Sequence, residues 1–280
     1  MATRLHACLL ALGAAFAAPA VAAFAQEPPA RVVSMNVCTD QLAMLVAGEG
    51  QLHSVSHLAT DPHSSARVEE ARAFAVNHGL AEEIFLMRPG LVLAGTYTAR
   101  ATMELLRRLV FRVEQFAPAN DFDDIREHIA RIGALLGRED RAAELIDELD
   151  AGLAGLAAAP ASGKVAASWS SNSYTTGAGT LTDTVMQAAG LRNMAAEQGI
   201  AGGARVPLEM LLAAKPDLIV TGTTAYDRPA LAQENFSHPA FRAYAEGEKL
   251  VTVPDRTWIC GAPFTLEAAR ILRRAAGGAE

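Results

Sequence analysis

One segment of the chain occurs twice. Residues 82–95 read Glu-Glu-Ile-Phe-Leu-Met-Arg-Pro-Gly-Leu-Val-Leu-Ala-Gly, and residues 209–222, 127 positions later, read Glu-Met-Leu-Leu-Ala-Ala-Lys-Pro-Asp-Leu-Ile-Val-Thr-Gly. In both copies a helix-forming stretch and a basic residue precede a proline, which cannot continue a helix. One residue later, a run of four mostly apolar residues leads to a glycine. The repeat predicts two similar lobes that share a helix-to-strand unit, although such a connector is also common across α/β folds in general.

Short apolar runs alternate with helical stretches in both halves of the chain. In the first half, strands are predicted at 31–35, 52–56, 91–94 and 112–116, with helices at 39–46, 80–87 and 99–109. In the second half, strands are predicted at 165–169, 218–221 and 250–253, with helices at 181–189, 207–214 and 264–274. Strands separated by helices form mostly parallel sheets, so the predicted fold class is α/β with two similar lobes.

A long helical stretch lies between the two series. Residues 121–159 contain no proline and are rich in Ala, Leu, Glu and Arg, with Gly137 and the polar residues after it as the expected break. The remainder, 139–159, would form a rod of about 30 Å. The predicted organisation is therefore an N-terminal lobe over 26–138, a bridging helix over 139–159 and a C-terminal lobe over 160–280.

The first 25 residues have the pattern of a secretory signal peptide. Arg4 and His6 precede an Ala/Leu-rich stretch, and Ala23-Phe24-Ala25 has the small-x-small form of a cleavage site. The formal net charge of the chain is −7, which gives no electrostatic support for binding nucleic acid or anionic lipid. Cleavage would leave Cys38 and Cys260 in an oxidising compartment, where they could form one disulfide if the geometry allows.

The pattern as a whole resembles the periplasmic binding proteins of iron-siderophore, haem and cobalamin ABC importers. The residues that carry the resemblance are the opening strand at 31–35, the two Glu-to-Pro units, Thr176–Thr180, and Val251–Pro254 before Trp258. It implies two α/β lobes joined by one rigid helix, periplasmic localisation, a ligand crevice between the lobes, and delivery of a metal chelate to the permease of an ABC importer by a monomer. It implies neither catalysis nor a resident cofactor or protein-bound metal.

The resemblance also indicates which residues meet the ligand and the permease. Ligands of such proteins lie at the loops that follow the sheet strands. The expected ligand-binding residues are Asn36, Cys38, His57, Tyr97, Trp169, Tyr174, Tyr226 and Trp258, with His63, Asp227 and Arg228 as further loop residues. Glu82 and Glu209 correspond to the glutamates that dock onto permease arginines in the family, although each would also suit an ordinary helix start.

Three questions stay open at the level of sequence. The ligand would be a ferric siderophore or cobalamin, with haem, for which Tyr97 is the best-placed ligand, behind them. Cys38 and Cys260 would face the same crevice, one from each lobe, either as a disulfide or as reduced thiols beside the ligand.

The alternative function is a secreted cysteine hydrolase in which Cys38, at the start of a helix, is the nucleophile. No histidine partner for it is identifiable from spacing, and G-x-S-x-G, H-E-x-x-H and P-loop motifs are absent.

Overall fold

The computed structural model describes residues 27–223, 231–247 and 249–277. Its strands are β1 (Val32–Ser34), β2 (Leu52–Ser56), β3 (Ala75–Asn77), β4 (Leu91–Gly95), β5 (Val113–Phe116), β6 (Val165–Ser168), β7 (Tyr174–Thr176), β8 (Arg192–Asn193), β9 (Gly203–Arg205), β10 (Leu218–Thr221) and β11 (Leu250–Thr252). Its helices are α1 (Val37–Val46), α2 (Val68–Ala71), α3 (Ala81–Met87), α4 (Arg100–Arg108), α5 (Phe122–Leu136), α6 (Glu139–Ala157), α7 (Leu181–Ala188), α8 (Met194–Glu197), α9 (Leu208–Ala214), α10 (Glu234–Ser237), α11 (Pro239–Ala245) and α12 (Thr265–Ala275).

The N-terminal lobe is a parallel five-stranded sheet in the order β3-β2-β1-β4-β5. Successive residues of a strand point to opposite faces, and both faces are covered by helices. Val32 and Leu91 belong to the core that includes side chains of α1 and α5. Val33 and Val92 belong to the core on the other face, with α3 and α4. The lobe is a three-layer α/β/α unit.

The C-terminal lobe repeats this arrangement with a parallel four-stranded sheet in the order β11-β10-β6-β8. Leu218 and Val220 of β10 share a core with α7 and α12. Ile219 packs on the other face with side chains of α9 and α11. A separate antiparallel pair, β7 with β9, completes the described part of this lobe. The predicted two-lobe α/β class is confirmed.

The internal repeat has the same geometry in both lobes. Helices α3 and α9 each have seven residues and end at a left-handed residue, Arg88 with φ 48° and Lys215 with φ 49°. Pro89 and Pro216 follow, and the chain then enters the interior strands β4 and β10. The repeated sequence therefore ends a helix sharply and leads the chain into an inner strand of each sheet.

The long helical stretch is interrupted as expected. Helix α5 ends at Gly137, whose φ of 65° is the left-handed conformation common after helices, and α6 begins at Glu139. Helix α6 has 19 residues and is about 28 Å long. Near its start Ala142 lies against Gly133 of α5, and further along Gly152 lies against Leu266 of α12. The helix thus contacts the helices of both lobes, and one continuous apolar core extends from β1 through α5 and α6 to α12.

Within the described segments, none of the helices is both long enough and apolar enough to cross a bilayer.

Candidate ligand-binding crevice

A cavity of about 200 Å³ lies between the ends of the N-terminal strands and one loop of the C-terminal lobe. Its N-terminal wall comes from the residues that follow β1, β4 and β5, and its opposite wall is the loop after β11. The lining residues are Asn36, Cys38, Thr39, Leu42, Gly95, Thr96, Tyr97, Phe116–Ala119, His128 and Ile259–Gly261. The carboxyl ends of parallel strands meet at one edge of a sheet, which is where ligands of open α/β folds bind.

Asn36 organises the centre of the N-terminal wall. It is the N-cap of α1, and its side-chain oxygen accepts a hydrogen bond of 3.0 Å from the Cys38 amide. A Cβ atom at Gly95 would come within 2.9 Å of the Asn36 amide nitrogen. Glycine at the end of β4 therefore permits the close approach of two adjacent strand-end segments, and both line the crevice.

A buried polar network lies behind this wall. The Asp40 carboxylate accepts hydrogen bonds from the Ser56 amide at 3.2 Å and from the Ser56 hydroxyl at 2.5 Å. Asn77 donates to the Ser34 carbonyl at 2.8 Å and to the Ser54 hydroxyl at 2.9 Å. Burial raises the pKa of the Asp40 carboxyl to about 6, although hydrogen bonds from Ser34 and Ser56 oppose the increase. The network fastens the first turn of α1 to the ends of β1, β2 and β3.

Cys38 and Cys260 form a disulfide that links the two lobes. Their Cα atoms lie 5.0 Å apart and are separated by 222 positions in sequence. Cys38 belongs to the first turn of α1, whereas Cys260 lies in the loop between β11 and α12. Of the two states left open by the sequence, the structure has the bridge, and both cysteines line the crevice.

Tyr97, Phe116 and Ile259 give the crevice its apolar surface. Tyr97 is 87% exposed, Ile259 is 56% exposed, and Phe116 is buried. His128 of α5 meets the Phe116 ring edge-on at 5.5 Å between centroids. Burial lowers the pKa of His128, which favours the neutral imidazole. Phe116, His128 and Ile259 were not among the expected residues, although Phe116 ends a predicted strand and the strand-end rule would have included it.

The two tryptophans do not present the stacking faces expected of them. Trp169 is fully buried in the core of its own lobe and stacks on Phe241 at 6.2 Å. It continues the alternation of Val165 and Ala167, which pack in the same core. Trp258 is partly buried and packs against the large core, and its neighbour Ile259 lines the crevice in its place.

A second cavity, of about 170 Å³, lies at the strand ends of the C-terminal lobe. It is lined by Trp169, Ser170, Ser171, Gly222, Thr223, Gln233, Phe236 and Asp255. The indole nitrogen of Trp169 is buried and has no hydrogen-bond partner within the described part of the chain. Burial raises the pKa of Asp255, against opposing effects of a Thr223 hydrogen bond and of nearby His63 from the N-terminal lobe. Trp169 thus borders this cavity although its side chain is fully buried.

The remaining expected ligand residues lie elsewhere. His57 is exposed and stacks on His78 at 5.5 Å, outside both cavities. Tyr174 is 44% exposed at the start of β7 and lines neither cavity. Tyr226, Asp227 and Arg228 lie outside the described residues. The structure therefore brings together Asn36, Cys38 and Tyr97 from the expected set.

Glu82 and Glu209 occupy matching positions, one on each lobe. Each is exposed in the first turn of its seven-residue helix, α3 or α9, and neither lines the crevice. Glu82 borders an exposed apolar patch formed by Phe85, Leu86, Leu105 and Leu109.

Over the described ranges, no three or more His, Cys, Asp or Glu side chains are grouped so as to hold a metal ion.

Known proteins of similar sequence or structure agree with this fold. The chain is 26% identical over 202 residues to a cobalamin-binding protein of Halobacterium salinarum; the match covers 70% of this chain and 55% of that protein. The chain thus spans about half the length of the curated relatives that it matches.

Solved structures with the same fold include the periplasmic haem-binding protein RhuT from Roseiflexus sp. RS-1 (TM-score 0.68, 20% identity, covering 88% of this chain and 98% of that one). The periplasmic vitamin B12 binding protein BtuF of Vibrio cholerae gives a TM-score of 0.66 at 19% identity, covering 89% and 97%. An ABC-type Fe3+-hydroxamate transport system protein from Saccharomonospora viridis gives 0.70 at 19%, covering 90% and 94%. The model of the family described as "Periplasmic binding protein" matches residues 32–255, and the chain therefore belongs to the periplasmic binding protein family.

Proposed function

We propose that this protein is a periplasmic receptor that captures an iron-siderophore or cobalamin-type metal chelate and delivers it to the permease of an ABC importer. The observation that carries the proposal is the crevice itself, where strand-end segments of one parallel sheet meet a loop of the second lobe. The names of the relatives support the ligand class, because they include cobalamin, vitamin B12, Fe3+-hydroxamate and haem.

The chemistry of the crevice fits an intact chelate better than a bare ion. Its apolar surface is formed by Tyr97, Phe116 and Ile259, and its polar groups include Asn36, His128 and two threonines. An apolar and aromatic lining with a few polar groups is the usual surface of a small-molecule site. A cavity of about 200 Å³ is smaller than the roughly 300–1,000 Å³ of sites that enclose a drug-sized ligand. A macrocycle or siderophore would therefore insert one edge and leave the rest at the mouth.

Glu82 and Glu209 are the proposed contacts with the permease. Their exposure, their equivalent positions on two lobes and their location outside the crevice all support a two-point contact. The apolar patch beside Glu82 would add buried area to a charged contact there. The receptor would act as a monomer and reach the periplasm through cleavage after Ala25, which lies outside the described residues.

The alternative function, a cysteine hydrolase, loses its nucleophile. A thiolate is the reactive form of cysteine, and Cys38 is bonded to Cys260. Membership of a family of binding proteins also favours the receptor.

The test begins with protein purified from its own periplasm. Native mass spectrometry and absorbance should detect a corrin, a ferric catecholate or hydroxamate, or a haem, bound one to one. Equilibrium titration with cyanocobalamin, a ferric trihydroxamate and haemin should then give saturable binding without turnover. The proposal would be contradicted if the purified protein carries no chelate and binds none of the three probes.

Two tyrosine variants locate the site. Tyr97→Ala should weaken binding of the active probe about tenfold, because an aromatic contact at a binding site contributes on the order of 1–2 kcal/mol. Tyr174→Ala is the matched control, since Tyr174 is an exposed tyrosine that lines neither cavity. If the two variants weaken binding equally, the ligand does not bind in this crevice.

A further inference from the structure

The described chain has two covalent routes between its lobes. The backbone crosses once, through α5 and α6, and the Cys38–Cys260 disulfide makes the second connection across the crevice. We infer that this disulfide is a staple at the floor of the crevice, which holds the lobes at one preset separation there and thereby fixes the width of the slot offered to the ligand. The inference rests on the proposed receptor function for its consequence, although the staple can be tested without a ligand.

On the N-terminal side the staple is anchored to a rigid element. Cys38 lies in the first turn of α1, and its amide is bonded to the Asn36 side chain at 3.0 Å. Two residues later, Asp40 fastens α1 to the end of β2 through the hydrogen bonds from Ser56. Cys38 therefore cannot move toward the opposite lobe without moving α1 and the sheet that it packs against.

On the C-terminal side the anchor is equally constrained. Cys260 is 2% exposed, and its carbonyl accepts a hydrogen bond of 3.3 Å from the Thr265 hydroxyl at the start of α12. The same hydroxyl accepts from the Ala262 amide at 3.1 Å. A Cβ atom at the adjacent Gly261 would come within 2.5 Å of Ala119. The loop is thus held to its own lobe and pressed against the segment that precedes α5.

The length of the bond limits how far the lobes can separate. Disulfides in proteins usually join Cα atoms about 4.4–6.8 Å apart, and a separation above about 7 Å cannot be bridged without backbone movement. The Cα atoms of Cys38 and Cys260 are already 5.0 Å apart. The floor can therefore widen by only about 2 Å while the bond is intact, and larger movements must be rotations about the staple that open the mouth.

The non-covalent contacts between the lobes do not impose the same limit. The shared apolar core runs through α5 and α6, and Gly261 makes a further apolar contact with Ala119 and Ile125. One hydrogen bond of 3.2 Å, from the Thr184 hydroxyl to the Asn120 carbonyl, also connects α7 with the segment before α5. Packed helices can slide and hinge, whereas a disulfide cannot lengthen. The staple is thus the contact that converts a hinged crevice into a slot of set width.

The consequence for binding follows from preorganisation. A receptor that is already in its binding-competent form loses no affinity to a population of open molecules. If removal of the bond leaves about one molecule in ten competent, the observed dissociation constant rises about tenfold. The sulfur atoms would also form the surface on which the inserted edge of the chelate rests, because both cysteines line the cavity.

The experiment compares lobe separation with and without the bond in the full mature protein. Spin labels are attached to p-acetylphenylalanine at Ala73 and Gln198, two exposed positions on different lobes, so that no cysteine is added. Distance distributions are measured for the wild-type background and for the double variant Cys38→Ser with Cys260→Ala. The single variant Cys38→Ser provides a second form without the bond, and circular dichroism checks that each variant is folded.

We expect a broader distribution of label-to-label distances in both bond-free variants, with some distances several ångströms longer than in the wild type. Cyanocobalamin, a ferric trihydroxamate and haemin serve as probes, and the one that binds should bind the bond-free variants about ten times more weakly. If the folded bond-free variants have the same label-to-label distances as the wild type, the inference of a staple is wrong. Failure of both variants to fold would also overturn it, because the bond would then be a requirement of the fold. If no probe binds the wild type but the distances broaden, the proposed ligand class fails while the staple stands.

Discussion

Asp40 is an acidic side chain with no exposed surface, placed directly behind the crevice proposed to bind the ligand. Its carboxyl pKa is raised from an ordinary value of 3.8 to about 6, chiefly because burial disfavours the charged form. A group whose pKa is raised in the folded state stabilises the fold fully below its unfolded pKa and loses that contribution as pH rises through the folded pKa. The wild-type protein should therefore lose about 3 kcal/mol of stability from this group between about pH 4 and pH 7.

Asp40→Asn removes that titration and should flatten this part of the pH profile. The measurement is the free energy of unfolding in urea at a series of pH values for both proteins. Glu104→Gln is the control, because Glu104 is exposed on α4. Parallel pH profiles for the wild type and Asp40→Asn would show that the buried carboxyl does not titrate as described.

Gly261 shows what the lack of a side chain permits at the edge of the crevice. A Cβ atom there would lie 2.5 Å from the Ala119 side chain and 2.7 Å from Ile125. Gly261→Ala should therefore destabilise the protein by about 1–3 kcal/mol, the usual cost of overpacking. Thermal or urea unfolding checks the value, and a wild-type stability would mean that the loop can withdraw from α5 at no cost.

Sequence reasoning located some residues that line the crevice and misplaced others, and the reason can be stated. The strand-end rule places a residue at the correct edge of a sheet but does not give the direction of its side chain. Asn36 and Tyr97 point into the crevice, whereas Trp169 follows the alternation of β6 into its own core. That alternation is readable from Val165 and Ala167, so the burial of Trp169 could have been predicted. The position of His128 in the crevice could not have been predicted, because it depends on how α5 packs beside β5.

At the scale of elements, alanine substitutions at the two glycines of α6 should change the stability of the protein in opposite directions. A Cβ atom at Gly155 would meet nothing within 4 Å, so Gly155→Ala should stabilise the protein by about 0.5–1 kcal/mol through helix propensity. A Cβ atom at Gly152 would overlap the buried side chain of Leu266 on α12. Gly152→Ala should therefore destabilise the protein by about 1–3 kcal/mol despite the same gain in propensity.

Urea unfolding of the two variants side by side makes the comparison, because both substitutions add one methyl group to one helix. Equal effects would mean that α6 does not pack on α12 as described. The result therefore also tests the contact between this helix and the C-terminal lobe.

Elements with strong apolar patterns were the ones that the sequence predicted. Strands β4 and β10 and helices α3 and α9 appear within a residue of their expected bounds because proline and a buried quartet define them. The short strands β3 and β8 and the β7–β9 pair were not expected. Strand β3 has two exposed residues and β8 has only two residues, so their pairing depends on tertiary neighbours and leaves little pattern in the sequence.

At the scale of the whole molecule, the proposal that Glu82 and Glu209 contact a permease can be tested by reversing their charges. They are exposed at equivalent positions of α3 and α9, outside the cavity that we assign to the ligand. Glu82→Lys and Glu209→Lys should each leave chelate affinity in solution within about twofold. Each should weaken docking by about 2–5 kcal/mol, the cost of breaking a well-formed charged contact at an interface. The double variant should fail to support uptake of the chelate by cells.

A helix-start glutamate also favours its own helix by about 0.3–1 kcal/mol, so the control must carry the same cost. Glu267→Lys provides it, because Glu267 is exposed in the first turn of α12. Docking is measured as binding to the permease in nanodiscs, and folding is checked by unfolding in urea. If Glu267→Lys reduces docking as much as the other two reversals, the effect is one of overall charge. If Glu82→Lys and Glu209→Lys transport normally, these residues only begin helices, and the permease contacts another part of the receptor.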